Sequence, residues 1–236
     1  MATTSLFRNW ILSQLPEYEY RRLAPHLQAV NFEMEHVFYE PYTPIHHAYF
    51  IETGLVSVVS TMNDGKVIEV AIVANEGMIG VPILLGIDNI PCQYFAQVGG
   101  RALQIKTQVL QAKMGQCNML RTLLQRYMAT FITQLMQVSA CNSLHSVSQR
   151  CVRWLLMYED RLRTREHPLT HDFLARLLGV RRASVTEVLH PLQEQGLICY
   201  KRGKISVLDR QRLVAFSCEC YRIIAKYYQD LLTVKC

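Results

Sequence analysis

In the stretch "RRASVTEVLHPLQ" the polar residues fall where they could read a polyanion. Arg182, Thr186 and His190 follow at intervals of four, with Ala183 and Glu187 beside them, while Val185, Val188, Leu189 and Leu192 fall on the other side of a helix. Arg181 and Ser184 belong to the first turn. A guanidinium such as that of Arg182 can pair with guanine O6 and N7, and a carboxylate such as that of Glu187 can accept from cytosine N4. Upstream, Thr170 is a good N-cap for "HDFLARLL", and Gly179 supplies the backbone conformation that ends that helix. Downstream, "LICYKRGKISVLD" reads as a hairpin whose tip, Lys201-Arg202-Gly203-Lys204, is basic and suited to phosphate contact. Two short helices around a glycine turn, followed by a basic hairpin, predict a winged helix-turn-helix whose second helix fits a major groove.

A second stretch, "EGMIGVPILLGIDNIPCQYFAQV" (residues 76–98), has the tight backbone of a ligand pocket. Gly77, Gly80 and Pro82 shape its start, and Cys92 and Gln93 follow a second proline. Yet no Lys or Arg occurs between Lys66 and Arg101. An anion buried there would meet no cation, which disfavours it strongly.

The remaining chemistry-bearing residues are scattered. His26, His36, His46 and His47 could each ligate a heme iron, although a surface or structural histidine is the commoner outcome. "HHAYFIETG" resembles a cupin metal motif, which keeps a cupin-like β-roll metalloenzyme as the alternative class. Adjacent His46 and His47 on a strand would point to opposite faces, so no metal site and no catalytic residue is predicted. Cys92 and the Cys218-x-Cys220 pair raise thiol redox sensing, with Arg222 the nearby charge favouring a thiolate. The lone C-x-C is weak as a metal signal. No cofactor is expected, and the sequence leaves heme and thiol redox sensing open.

The elements that must position these residues are legible in outline. Residues 1–118 carry seven Lys/Arg against ten Asp/Glu, and residues 119–236 carry eighteen against nine, so only the C-terminal half is basic. That asymmetry suggests that this half meets a polyanion. No apolar run approaches the ~18–20 residues of a membrane span, and "MATTSLFRNW" lacks a signal-peptide layout, so a soluble, cytoplasmic protein with reduced cysteines is expected. Residues 6–29 look helical. From Val30 the chain breaks into short β-branched and aromatic runs separated by turns, including "MNDGK", which predicts a barrel or roll.

A long helix is predicted from Asn118 to Leu144. Leu120, Leu124, Tyr127, Phe131, Gln134 and Val138 form a coiled-coil-like seam, with a second stripe of Met119, Leu123, Met128, Ile132, Leu135 and Met136 beside it. A helix apolar on two faces must be covered twice, and a second copy of itself could supply one cover. "CNSLHSVSQ" suggests a hinge, and another helix follows from Arg150 to Arg163. The tail past Asp209 shows apolar residues at helical spacing. Pro191 should bend or loosen the recognition helix after His190, because an interior proline costs about 3 kcal/mol.

With these pieces in order, residues 6–210 resemble the CRP/FNR (cyclic-AMP receptor protein/fumarate-nitrate regulator) family of bacterial transcription factors. The resemblance is strongest at "LTHDFLARLLGVRRASVTEVLHPLQEQGLI". It implies an α+β fold with an eight-stranded, cyclic-nucleotide-binding-like double-stranded β-roll in domain 1–117. A dimerisation helix and hinge occupy 118–146, and a winged helix-turn-helix domain with a C-terminal helix occupies 147–236. The implied partners are double-stranded DNA bearing an inverted repeat, a second copy of the chain and RNA polymerase.

The family's base-reading positions fall on Arg182, Ala183, Thr186 and Glu187. Ala183 replaces a common Glu and Glu187 a frequent Arg, so the operator should differ from the best-known family sites. The DNA-facing set is completed by Thr170, Arg181, Ser184, His190, Lys201, Arg202 and Lys204. The family's phosphate-binding Gly-Glu pair aligns with Gly80-Val81, and its Arg-Ser pair with Cys92-Gln93. Leu135 and Met136 stand where base-contacting hydroxyls would fall. The resemblance therefore implies a regulator that does not bind cyclic AMP in the usual mode. The stretch 76–98 is either an apolar pocket for a weakly polar effector or a structural remnant filled by its own side chains.

Overall fold

The structure, a computed structural model, describes residues 8–162 and 166–232. The expected helical start at Leu6 and the expected end at Arg163 lie outside them. The chain opens with α1 (Trp10–Ser13) and α2 (Glu17–Leu23), then a single 3-10 turn at Ala24–His26. Asn9 fastens this start to the sheet that follows. Its Oδ1 accepts from Leu12 N, while Nδ2 donates to the carbonyls of Ile51 (2.8 Å) and Gly77 (2.7 Å). A fully buried amide is tolerable there because its bonding capacity is used.

Six strands form the N-terminal sheet: β1 (Gln28–Phe32), β2 (Val37–Tyr39), β3 (His47–Thr61), β4 (Val67–Val73), β5 (Met78–Ile79) and β6 (Gln93–Lys106). The order is β1-β6-β3-β4, with β2 also on β6 and β5 on β3. The family resemblance implies eight strands. The described residues show six, in which β6, at 14 residues, is continuous where two shorter strands were expected at "QYFAQV" and "RALQI", and β3 runs unbroken for 15. The turn in "MNDGK" forms as its residues predict, with Met62 N donating to Lys66 O at 2.8 Å. β1 pairs antiparallel with β6, Gln28 opposite Gln104 and Phe32 opposite Gly100.

Helix α3 (Thr107–Gln116) follows, a helix the sequence pattern does not announce because Leu110 is its one buried residue. Next comes α4 (Asn118–Leu144), with the predicted bounds. Its start is held by Glu19, whose carboxylate accepts from Met119 N at 3.1 Å and Leu120 N at 2.9 Å. A carboxylate at a helix N-terminus satisfies orphan N–H groups and opposes the positive end of the dipole. The seam residues Leu120, Leu124, Tyr127, Phe131, Gln134 and Val138 are all buried. On the second stripe Leu123 is buried, whereas Ile132 and Met136 are 43% and 68% exposed.

The chain breaks at His145-Ser146, inside the expected hinge, and restarts as α5 (Val147–Leu162). Then come β7 (Glu166–Pro168), α6 (His171–Leu178), α7 (Arg182–Glu194), β8 (Ile198–Lys201), β9 (Lys204–Val207), α8 (Arg210–Phe216) and α9 (Glu219–Leu232). β7 adds a third strand to the predicted hairpin, in the order β7-β9-β8. The chain divides into two compact units. The first comprises the residues up to Val58, Ile72–Ile132 and those from Tyr227, and the second Val59–Ala71 and Thr133–Lys226. The tip of the β3–β4 hairpin thus belongs with the C-terminal unit. There Trp154 Nε1 donates to Glu69 Oε1 at 2.6 Å.

Replacing Glu19 by Ala leaves the N–H groups of Met119 and Leu120, the second of them buried, without their acceptor. A loss of about 1–3 kcal/mol is expected, read as a lower urea midpoint with an unchanged slope.

Candidate nucleic-acid interface

Thr170 ends an extended segment and caps α6, its Oγ1 accepting from Phe173 N at 3.2 Å. Leu174, Ala175, Leu177 and Leu178 are buried, which fixes the face that α6 turns inward. Gly179 then adopts φ 63°, ψ 38°, a left-handed conformation that costs a β-carbon-bearing residue about 1–2 kcal/mol. Its N–H and that of Val180 close back on the carbonyls of Arg176 and Ala175. Arg150, buried on α5, donates through Nη2 to Leu178 O and through Nε to Asn142 Oδ1. A guanidinium thus holds the carbonyl at the end of α6, just before the turn.

Arg181 caps α7 in an extended conformation with no side-chain hydrogen bond, as expected where a Ser or Thr N-cap is replaced. Val185, Leu189 and Leu192 are buried. Arg181, Arg182, Ala183, Thr186, Glu187 and His190 are exposed, and Ser184 is half-buried. The predicted reading face is therefore presented as one surface. α7 runs through Pro191 to Glu194 without a break in the helix.

Local bonds orient that surface. Arg182 Nη1 lies 3.1 Å from Asp172 Oδ2, with both side chains 67% exposed. Such an exposed pair contributes little to stability but aims the guanidinium. Thr186 Oγ1 lies 3.0 Å from His171 Nδ1, and burial, then the Arg182 charge, hold the His171 imidazole below its ordinary pKa. His190 Nδ1 lies 3.4 Å from Glu194 Oε2.

The wing stands beside α7, with Tyr200 N donating to Gln193 Oε1 at 2.9 Å. Its tip turns through Arg202 and Gly203, at φ 51° and 74°. Two successive positive φ values define the tight turn that matches strand twist. Lys201, Arg202 and Lys204 are exposed there. The sequence reading missed Arg150, Asp172, His171 and Tyr200, whose roles depend on which helix ends meet. Only the Asp in the first turn of α6 carries a local signal, as a dipole partner.

The stretch 76–98 has a different character. A 3-10 turn, Val81–Leu85, is flanked by Gly80 and Gly86. Val81 and Ile83 are 6% and 2% exposed, whereas Leu85 at the end of the turn is 62% exposed. Pro82 is half-buried, and a β-carbon on Gly77 would collide with the Tyr127 ring. Cys92 is half-buried, and burial raises its thiol pKa, the direction opposite to activation. Gln93 turns its amide to Glu40 Oε2 at 2.9 Å. Leu135 is half-buried and Met136 exposed; both fall in the second compact unit, and the cassette in the first. His26, His36 and His46 are exposed, and His46 precedes β3 rather than lying on it.

A roll of cyclic-nucleotide-binding type followed by a winged helix-turn-helix defines a class of transcription regulators. The comparisons agree. Residues 29–117 match the cyclic nucleotide-binding domain model, and residues 149–216 match the Crp-like helix-turn-helix domain model. The chain belongs to the CRP/FNR family of transcription regulators.

Similar solved structures include FixK2 from Bradyrhizobium japonicum, at 18% identity and a TM-score of 0.71, covering 81% of this chain and 98% of that one. A putative crp/fnr-family regulator from Eubacterium rectale has 18% identity and a TM-score of 0.69, covering 86% and 94%. The c-di-GMP-responsive global regulator CLP of Xanthomonas campestris has 16% identity and a TM-score of 0.67, covering 81% and 99%. At such identities these structures show the shared fold. No curated protein sequence matches the chain significantly. No helix among the described residues is long and apolar enough to cross a membrane.

Replacing Arg150 by Met leaves the Leu178 carbonyl without its charged donor. A loss of about 1–3 kcal/mol is expected, with a lower thermal midpoint for the C-terminal unit and weaker DNA binding in the same variant.

Proposed function

We propose that the chain acts in the cytoplasm as a homodimeric, sequence-specific regulator, not an enzyme, that reads an inverted-repeat operator and works through RNA polymerase. One observation carries the reading. Arg181, Arg182, Thr186, Glu187 and His190 share the exposed face of α7, next to a wing tip bearing Lys201, Arg202 and Lys204. The helix supplies shape and hydrogen-bonding groups for a major groove, and the wing supplies positive charge for phosphate. In a two-fold dimer the two α7 helices would enter successive major grooves about 34 Å apart.

The dimer reading rests on the second stripe of α4. Ile132, Met136 and, further on, Leu144 are 43%, 68% and 81% exposed in the single chain. Apolar residues at helical spacing on a long helix suit a second copy of that helix.

Cyclic AMP is not the effector in the family's usual mode. Val81 stands in place of a ribose-binding carboxylate, and Cys92-Gln93 in place of an Arg-Ser pair. A cyclic phosphate against them would lose its water and gain no cation. The burial of Val81 and Ile83 within the turn favours a cassette kept for structure.

Replacing Arg182 by Ala should relax specificity at one operator position and weaken binding by about 1–3 kcal/mol. Replacing Lys204 by Ala should weaken binding to operator and random DNA alike and reduce the salt slope by about 1. Selection from random duplexes followed by titration at several salt concentrations measures both. Parent-like binding by both variants would overturn the winged-helix reading. Calorimetry with cyclic AMP should show no micromolar binding; a micromolar isotherm that Cys92→Ala abolishes would reverse the assignment of the cassette.

A further inference from the structure

Two cysteines from far along the chain meet a cysteine and a histidine at the end of α4. Cys141 lies in the last turn of α4, and His145, just past its end, donates its N–H to Cys141 O at 3.1 Å, which keeps the two side chains on one side. Cys218 and Cys220 come from the junction of α8 and α9. The three thiols are 0%, 3% and 1% exposed, and the imidazole is half-buried. The four potential ligand atoms all lie within 4.8 Å of one another. Cys141 Sγ is 3.6 Å from Cys218 Sγ, and Cys220 Sγ is 3.4 Å from His145 Nδ1.

These separations have a specific meaning. With metal–sulfur bonds of about 2.3 Å and metal–nitrogen bonds of about 2.0–2.1 Å, the edges of a tetrahedron are about 3.8 Å between sulfurs and about 3.6 Å between sulfur and nitrogen. A disulfide would need two cysteines and would leave the third thiol and the imidazole without a reason to converge. Soft thiolates with one imidazole in a tetrahedron select Zn2+ over harder cations. We propose that Cys141, His145, Cys218 and Cys220 form a structural zinc site of Cys3His type.

The surroundings are those of a metal site. With Nδ1 facing the cluster, His145 Nε2 lies 3.3 Å from Glu219 Oε1. A carboxylate on the distal nitrogen fixes the tautomer and orients a ligating ring. Arg153 Nε donates to Cys141 Sγ at 3.2 Å, and Gln137 Nε2 donates to Cys220 Sγ at 3.3 Å. Three thiolates and a neutral imidazole around Zn2+ carry one net negative charge, which the Arg153 guanidinium offsets. Loading the site releases a proton from each thiol that was protonated. Burial opposes the Cys141 thiolate and the Arg153 guanidinium favours it. A divalent cation adds to the second effect by stabilising the thiolates.

Four protein ligands leave no open position, which marks a structural and not a catalytic metal. Its work is to tie the start of α9 to the last turns of α4. No local motif announces the site, because the ligands come as Cys-x3-His and Cys-x-Cys, separated by the whole helix-turn-helix.

The test is elemental analysis of the full-length protein purified under reducing, chelator-free conditions and then titrated with ZnCl2. The expected result is one zinc per chain. In the unmutated protein, bound zinc should protect three thiols from alkylation, and Co2+ in its place should give thiolate-to-metal charge-transfer absorption. Cys141→Ser and Cys218→Ser should lose the metal. Glu219→Gln, which keeps every ligand, should weaken zinc binding about 10–100-fold in a chelator competition. Two results would overturn the proposal: reduced, folded protein that takes up no zinc, or the same alkylation rate of the three thiols with and without zinc. The alkylation arm needs no variant, so misfolding of Cys141→Ser cannot mask the answer.

Discussion

Tyr127 lies fully buried on α4, and its hydroxyl donates to Met78 O at 2.9 Å. The ring occupies the space that Gly77 leaves by having no β-carbon. This contact seats the long helix on the N-terminal sheet, and it sets the rotation of α4 about its axis. Once Tyr127 points inward, Leu120, Leu124 and Phe131 must follow it by helical periodicity. Ile132 and Met136 are then turned elsewhere, and the helix keeps an apolar stripe to offer to another surface.

The same economy of contacts governs the C-terminal unit. Positive φ at Gly179 sets the turn between α6 and α7, and Arg150 holds the carbonyl that precedes it. Those constraints leave α7 with its apolar side buried and its polar side outward. Asp172 lies within bonding distance of Arg182, and His171 of Thr186. Preorganised side chains lose less entropy when they meet a ligand. Among the described residues Arg202 at the wing tip has no such partner, which fits a group that needs charge more than direction.

The stretch at 76–98 separates backbone shape from side-chain charge. Its glycines still bracket a 3-10 turn, and its loop is still tethered, with Ile45 N donating to Asp88 O and Tyr42 N to Ile90 O. Backbone shape is secured by those bonds and by the burial of Val81 and Ile83. Side-chain charge is a separate property, and position 92 carries a thiol that burial keeps protonated. Glycine spacing is therefore a guide to the turn and a poor guide to the ligand.

By itself the sequence determined the order of the elements, because each rests on local chemistry. The bounds of α4, the Thr170 cap, the Gly179 stop, the "MNDGK" hairpin and the exposed set on α7 all follow from spacing, capping and turn preferences. It split β6 into "QYFAQV" and "RALQI", because a strand that continues through Gly99-Gly100 looks like two in a periodicity reading. It also passed over α3, whose weak amphipathicity carries no signal. Tertiary structure alone decided which stripe of α4 is covered in the chain and which partners aim Arg182 and Thr186. It alone brought Cys141 and His145 to Cys218 and Cys220. The cysteine cluster joins residues more than seventy positions apart, and Arg182 and Thr186 meet partners on a different helix, and no local periodicity encodes such meetings.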